Sequence, residues 1–165
     1  MKKRTIQIAL PVTGEAEWQS VKESIMSGWL TQGPKGRKFE ENFSEKHGVN
    51  HALAVTSCTT GLHLALAAMG VGAGDEVIVP DITWVSTANA VMLVGGTPIF
   101  ADVDIDTWTI DPKSVESLIN EKTKAIMPVH LYGHPAKMDD IMALSTKYNL
   151  KIIEDAAPSI VAEVN

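Results

Sequence analysis

The sequence predicts an α/β fold built on a mostly parallel sheet with helices on both faces. Three observations carry that reading. From His51 onward, apolar runs of four to six residues alternate with helical stretches of about ten. The runs are apolar at their centres without alternating polar positions, as strands covered on both faces are. Glycines and prolines punctuate the junctions.

The elements follow in order. Thr13 is placed to cap a helix over about 14–27, with Trp18, Val21, Ile25 and Met26 on one face and Gly28 as its stop. Trp29 to Pro34 reads as a turn-rich loop. A second helix has Phe39 and Phe43 four apart and ends at Gly48. His51 to Thr56 reads as a buried strand. Thr59 or Thr60 then starts a helix carrying Leu62, Leu64, Leu66 and Met69, stopped by Gly70. Strands are expected at Glu76 to Val79, Pro98 to Ala101, Ala125 to Val129 and Lys151 to Glu154. Between them lie helices from Thr83 to about Val94, from Asp111-Pro112, and from Met138 to Tyr148.

Composition narrows the function classes. The chain has 165 residues, 45% of them hydrophobic and 21% charged, the balance of one globular domain. A net charge of -6 argues against nucleic acid or an anionic membrane surface as partner. A lone cysteine, Cys58, allows no internal disulfide. The basic start, Met1 to Arg4, precedes an apolar stretch broken by Gln7 and ended by Pro11, too short and polar for a secretion signal. No run approaches the roughly 20 apolar residues of a membrane span. The expected location is the cytoplasm.

Ligands of parallel sheets gather beyond the carboxyl ends of strands. That rule selects Ser57 to Gly61 and Asp155. A helix start offers unpaired N–H groups and a positive dipole end to a phosphate. Taken alone, the segment reads more readily as a helix simply capped by Thr59 or Thr60. Asp155 can pair with a cation such as a protonated pyridine nitrogen, or cap the next loop. Trp84 can lay its ring on a flat ligand or pack as core. Gly70 to Gly74 has the glycine spacing of a dinucleotide fingerprint but precedes a strand, the reverse of what that motif needs, and no phosphate-loop lysine motif occurs. His130 and His134 fall in a loop, and no convincing metal set emerges.

Five segments in order carry a resemblance: Ser27 to Pro34, Thr56 to Leu66, Gly74 to Pro80, Pro128 to Gly133 and Ile153 to Ala157. Together they resemble the DegT/StrS family, fold-type I enzymes that use pyridoxal 5′-phosphate (PLP) and mostly aminate keto sugars on nucleotide carriers. The resemblance covers about Leu10 to Glu163. It implies that the amides of Thr59 and Thr60 hold the cofactor phosphate, that Trp84 stacks on the pyridine ring, and that Asp155 pairs with the ring nitrogen. It places Thr31 near the substrate. It implies a homodimer, a nucleotide-sugar substrate and an amino-acid donor, glutamate, in amino-sugar or cell-surface polysaccharide synthesis. Residues 1–48 are then an N-terminal helical segment, and residues 49–165 part of the large PLP-binding domain, ahead of the Schiff-base lysine and the small domain. Three positions depart from the family pattern: Cys58 where glycine is frequent, Pro158 where a polar side chain often approaches the cofactor, and Val161 where glycine is common. Two other readings stand beside the aminotransferase, a PLP-dependent sugar dehydratase of the same family and a non-catalytic α/β binding module.

Overall fold

Strand alternation in one short segment sets up the whole sheet. In Glu76–Pro80 (β1), Val77 and Val79 point to one side and Ile78 to the other, and all three are fully buried. A strand buried on both faces needs cover on both, and the chain supplies it.

The computed structural model describes residues 10–160. These divide into two units, at Ala54/Val55. The first holds two helices, Glu15–Ser27 (α1) and Pro34–His47 (α2). Both stop at glycines in the left-handed region, Gly28 (φ 72°) and Gly48 (φ 62°), where a side chain would be strained. Thr13 does not cap α1. The Glu17 carboxylate reaches back to accept the Gly14 N–H at 2.7 Å, so the helix is capped from within. Trp18, Val21, Ile25 and Met26 are exposed.

The second unit contains a four-stranded, all-parallel sheet in the order β2-β1-β3-β4. Its remaining strands are Thr97–Ala101 (β2), Thr123–Ile126 (β3) and Lys151–Ile152 (β4). Cys58–Ala68 (α3) and Ser86–Leu93 (α4) cover one face, where Leu62, Leu66, Ala90 and Val91 pack on Val77, Val79, Ala125 and Ile153. Pro112–Leu118 (α5) and Met138–Tyr148 (α6) cover the other, where Val115, Ile141 and Leu144 pack on Ile78 and Ile126. The expected α/β class and its two-sided cover are therefore present. Asp111 accepts the Lys113 N–H at 3.1 Å and Pro112 occupies the first turn of α5, the start its sequence predicts.

Four of the differences from expectation bear on the sheet and the site. His51 to Thr56 forms no strand. Its apolar residues are right for one, but no strand among the described residues pairs with it, and Leu53 and Val55 stay exposed. The helix expected from Thr83 begins at Ser86. The β3 ladder stops at Ile126, just ahead of Pro128, which has no N–H to donate, and resumes as a single bridge between Val129 and Asp155. The strand expected to Glu154 is paired continuously only through Ile152.

Candidate functional site

Chain order reverses between β1 and β3, because the connection through α4 leads to one side and that through α6 to the other. Beyond the carboxyl ends of such strands an open parallel sheet has its natural crevice. Here the first turns of α3, Thr83 and Trp84, Ser86 at the start of α4, Val129, and Asp155, Ala157 and Pro158 line a cavity of about 360 Å³.

Asp155 reaches this cavity through strand alternation. Ile153 packs on the α3–α4 side, Glu154 turns to the opposite side, and Asp155 returns to the first. Its backbone is fixed on both flanks: the Asp155 N–H donates to Pro128 O at 2.9 Å and its carbonyl accepts the His130 N–H at 3.2 Å. Only 5% of the residue is exposed. Oδ2 accepts the Thr87 hydroxyl at 2.9 Å. Oδ1 accepts the Ala157 N–H at 3.3 Å and the Cys58 thiol at 3.5 Å. All three donors are neutral, and among the described residues no cation pairs with Asp155. A carboxylate has about four lone-pair positions, so at least one has no donor among the described residues.

Cys58 is exposed as a residue, with its sulfur turned toward Asp155. Desolvation and then the adjacent carboxylate push its thiol up to about 11. At neutral pH it is therefore a donor and not a second anion.

The start of α3 is arranged differently from either capping alternative. Ser57 is the cap: its Oγ accepts the Thr60 N–H at 3.2 Å, and Thr60 Oγ1 accepts the Ser57 N–H at 3.0 Å. The Thr60 amide is thus engaged. The amides of Cys58 and Thr59 have no partner among the described residues, so they and the helix dipole remain available to an anion. Thr59 Oγ1 donates to Ser86 Oγ at 2.9 Å, which leaves the Ser86 proton free. Trp84, 76% exposed, forms part of the cavity wall.

Thr59, Trp84 and Asp155 thus line one cavity, as does Pro158. Thr60 faces a separate groove with Val55 and His63. Thr31 belongs to the first unit, where it lines a cavity of about 350 Å³ with Trp29 and Lys35. That bend is held by Trp29, whose Nε1 donates to Gln32 O at 2.7 Å and whose ring lies where a Cβ on Gly33 would stand. Val161 lies outside the described residues. His130 is buried in a structural role: it accepts the Ala136 N–H on Nδ1 at 3.1 Å, so its Nε2 donates to Glu154 at 2.9 Å. That hydrogen bond holds the Glu154 carboxyl below its usual range. No group of three metal-ligating side chains occurs among the described residues.

The sequence does not single out Thr83, Ser86 and Thr87 as site residues, nor the Cys58 side chain as a partner of Asp155. A signal existed for two of them. Thr83 and Thr87 are four apart, ahead of and inside a helix that continues as the apolar run Ala90 to Leu93, where a buried hydroxyl needs a partner.

Comparison with known proteins adds ancestry to this geometry. A model of the DegT/DnrJ/EryC1/StrS aminotransferase family matches residues 11–165. An aminotransferase from Psychrobacter cryohalolentis is 40% identical over 92% of the chain, with a TM-score of 0.88. NtdA from Bacillus subtilis, solved with bound cofactor PMP, is 38% identical over 87%, with a TM-score of 0.84. Spr1654 from Streptococcus pneumoniae, named as a sugar aminotransferase and solved in its PMP form, is 31% identical over 95%, with a TM-score of 0.88. The chain spans 39%, 33% and 43% of those three chains, respectively.

Proposed function

The chain belongs to the DegT/DnrJ/EryC1/StrS aminotransferase family, and from that premise we propose that its cavity holds PLP. The full-length protein then transfers an amino group from an amino-acid donor, glutamate, to a keto sugar carried on a nucleotide. We place this activity in amino-sugar or cell-surface polysaccharide synthesis, in a cytoplasmic homodimer. Support for a sugar substrate comes from Spr1654, and for the cofactor from the PMP forms of Spr1654 and NtdA. Among the described residues no helix is long and apolar enough to cross a membrane.

One observation carries the cofactor reading. Asp155 is a buried carboxylate with only neutral donors and an open lone pair at a cavity wall. Burying an unpaired charge is costly, so such a site fits a cationic ligand. A protonated pyridine nitrogen is one, and at about 4 Å with an effective dielectric near 20 the attraction is about 4 kcal/mol. The rest of the wall suits the same molecule. The amides of Cys58 and Thr59 fit a phosphate, with the Ser86 hydroxyl close by. Trp84 offers a flat aromatic face. When bound, the cofactor supplies an electron sink that stabilises negative charge on a substrate carbon. The protein's part is to hold the phosphate at α3, to fix the ring plane against Trp84, and to keep the ring nitrogen protonated through Asp155.

The test is Asp155→Asn in the full-length protein, because an amide keeps the shape and loses the charge. Turnover with glutamate and a keto-sugar nucleotide should fall about a hundredfold or more, the fold being retained. Turnover within about twofold of wild type, under roughly 0.5 kcal/mol in barrier, would make Asp155 a structural residue.

A further inference from the structure

The side chain that holds Asp155 most directly does not line the cavity. Thr87 lies in the first turn of α4 and is 0% exposed. Its hydroxyl carries one proton, which goes to Asp155 Oδ2 at 2.9 Å. The Thr83 hydroxyl, 3.0 Å from that of Thr87, must then donate to it. Two hydroxyls in series therefore point at one carboxylate oxygen, Thr83 at the cavity wall and Thr87 in the core.

Packing alone does not ask for this. Thr87 is followed on α4 by Ala90 and Val91, both fully buried in the apolar layer against the sheet. A valine would fill the same volume without a hydroxyl to satisfy. The two carboxylate oxygens are also held unequally. Oδ1 has two donors, one of them backbone, whereas Thr87 is the sole donor to Oδ2 among the described residues.

We infer that Thr87 is a positioning residue for the cofactor: backed by Thr83, it fixes the rotation of the Asp155 carboxylate so that its open lone pair meets the ring nitrogen. This rests on the reading of the cavity as a PLP site. Thr87 acts through Asp155 and touches no ligand itself.

Two substitutions separate positioning from packing. Thr87→Val keeps the volume and removes the hydroxyl, whereas Thr87→Ser keeps the hydroxyl and leaves a methyl-sized void. Apo full-length protein is titrated with PLP and the quenching of tryptophan fluorescence is followed. The dissociation constant should rise about tenfold or more in Thr87→Val, the loss expected for a hydrogen bond to a charged group. In Thr87→Ser it should stay within about threefold of wild type, although that variant melts lower. In an Asp155→Asn background, Thr87→Val should add less than about twofold, because its effect passes through the carboxylate.

Absence of saturable PLP binding by the wild type would sink the proposed function itself. Wild-type binding left unchanged by Thr87→Val would overturn only the positioning role. So would Thr87→Ser binding as weakly as Thr87→Val, or a full Thr87→Val loss persisting without the Asp155 charge. If Thr87→Val does not fold, Thr83→Val reads the same chain from its cavity end. There the dissociation constant should rise about threefold or more, and an unchanged value would overturn the inference.

Discussion

Cys58 shows how much a single residue's meaning depends on its neighbour. In sequence it is the chain's lone thiol. In space it is a hydrogen-bond donor 3.5 Å from a buried carboxylate. Partial desolvation and the negative charge of Asp155 both disfavour the thiolate and push the group up to about 11. Only the thiolate is nucleophilic, so alkylation should be slow at pH 8 and keep accelerating through pH 10. Mass-spectrometric mapping of the Cys58 peptide after timed iodoacetamide exposure measures this. A rate that levels off below pH 9 would show that the thiol does not feel Asp155. Asp155 itself was legible in the sequence, because a carboxylate closing an apolar run is conspicuous. Its partners Cys58 and Thr87 lie 97 and 68 positions away, and no local pattern announces such a contact.

Elements were more legible than their ends. The helices and strands of the second unit occur where apolar periodicity and glycine stops put them, because burial on two sheet faces demands that pattern. Ends depend on which of several competing donors wins. Ser57, Thr59 and Thr60 can each cap α3 by residue type, and Ser57 does so because Thr60 returns its own hydroxyl to the Ser57 N–H. This cap leaves the Cys58 and Thr59 amides without a partner among the described residues, so it also supplies the donors of the proposed phosphate site. Ser57→Ala should cost about 1 kcal/mol locally, making the Thr60 amide of the full-length protein exchange with deuterium about fivefold faster. An unchanged exchange rate would mean that Ser57 is not the operative cap. His51 to Thr56 failed for a different reason. Strand residues record a capacity to pair, whereas a strand requires a neighbour, and the ladder of this sheet does not reach that segment.

At the scale of the whole molecule, function follows from strand order, which sequence could not supply. The order β2-β1-β3-β4 brings the ends of β1, β3 and β4 to one crevice, so residues from widely separated segments meet at one cavity. Cys58 and Thr59 come from the start of α3, Trp84 from the turn after β1, and Asp155 from the bridge beyond β4. The central claim is that this cavity seats PLP with its phosphate at α3 and its ring nitrogen on Asp155. The most direct measurement is a crystal structure of the full-length protein with PLP bound. An Asp155 carboxylate oxygen is expected within about 3 Å of the ring nitrogen, and phosphate oxygens at similar distance from the Cys58 and Thr59 amides. A cofactor bound elsewhere, or seated here with its ring nitrogen turned away from Asp155, would contradict the central claim.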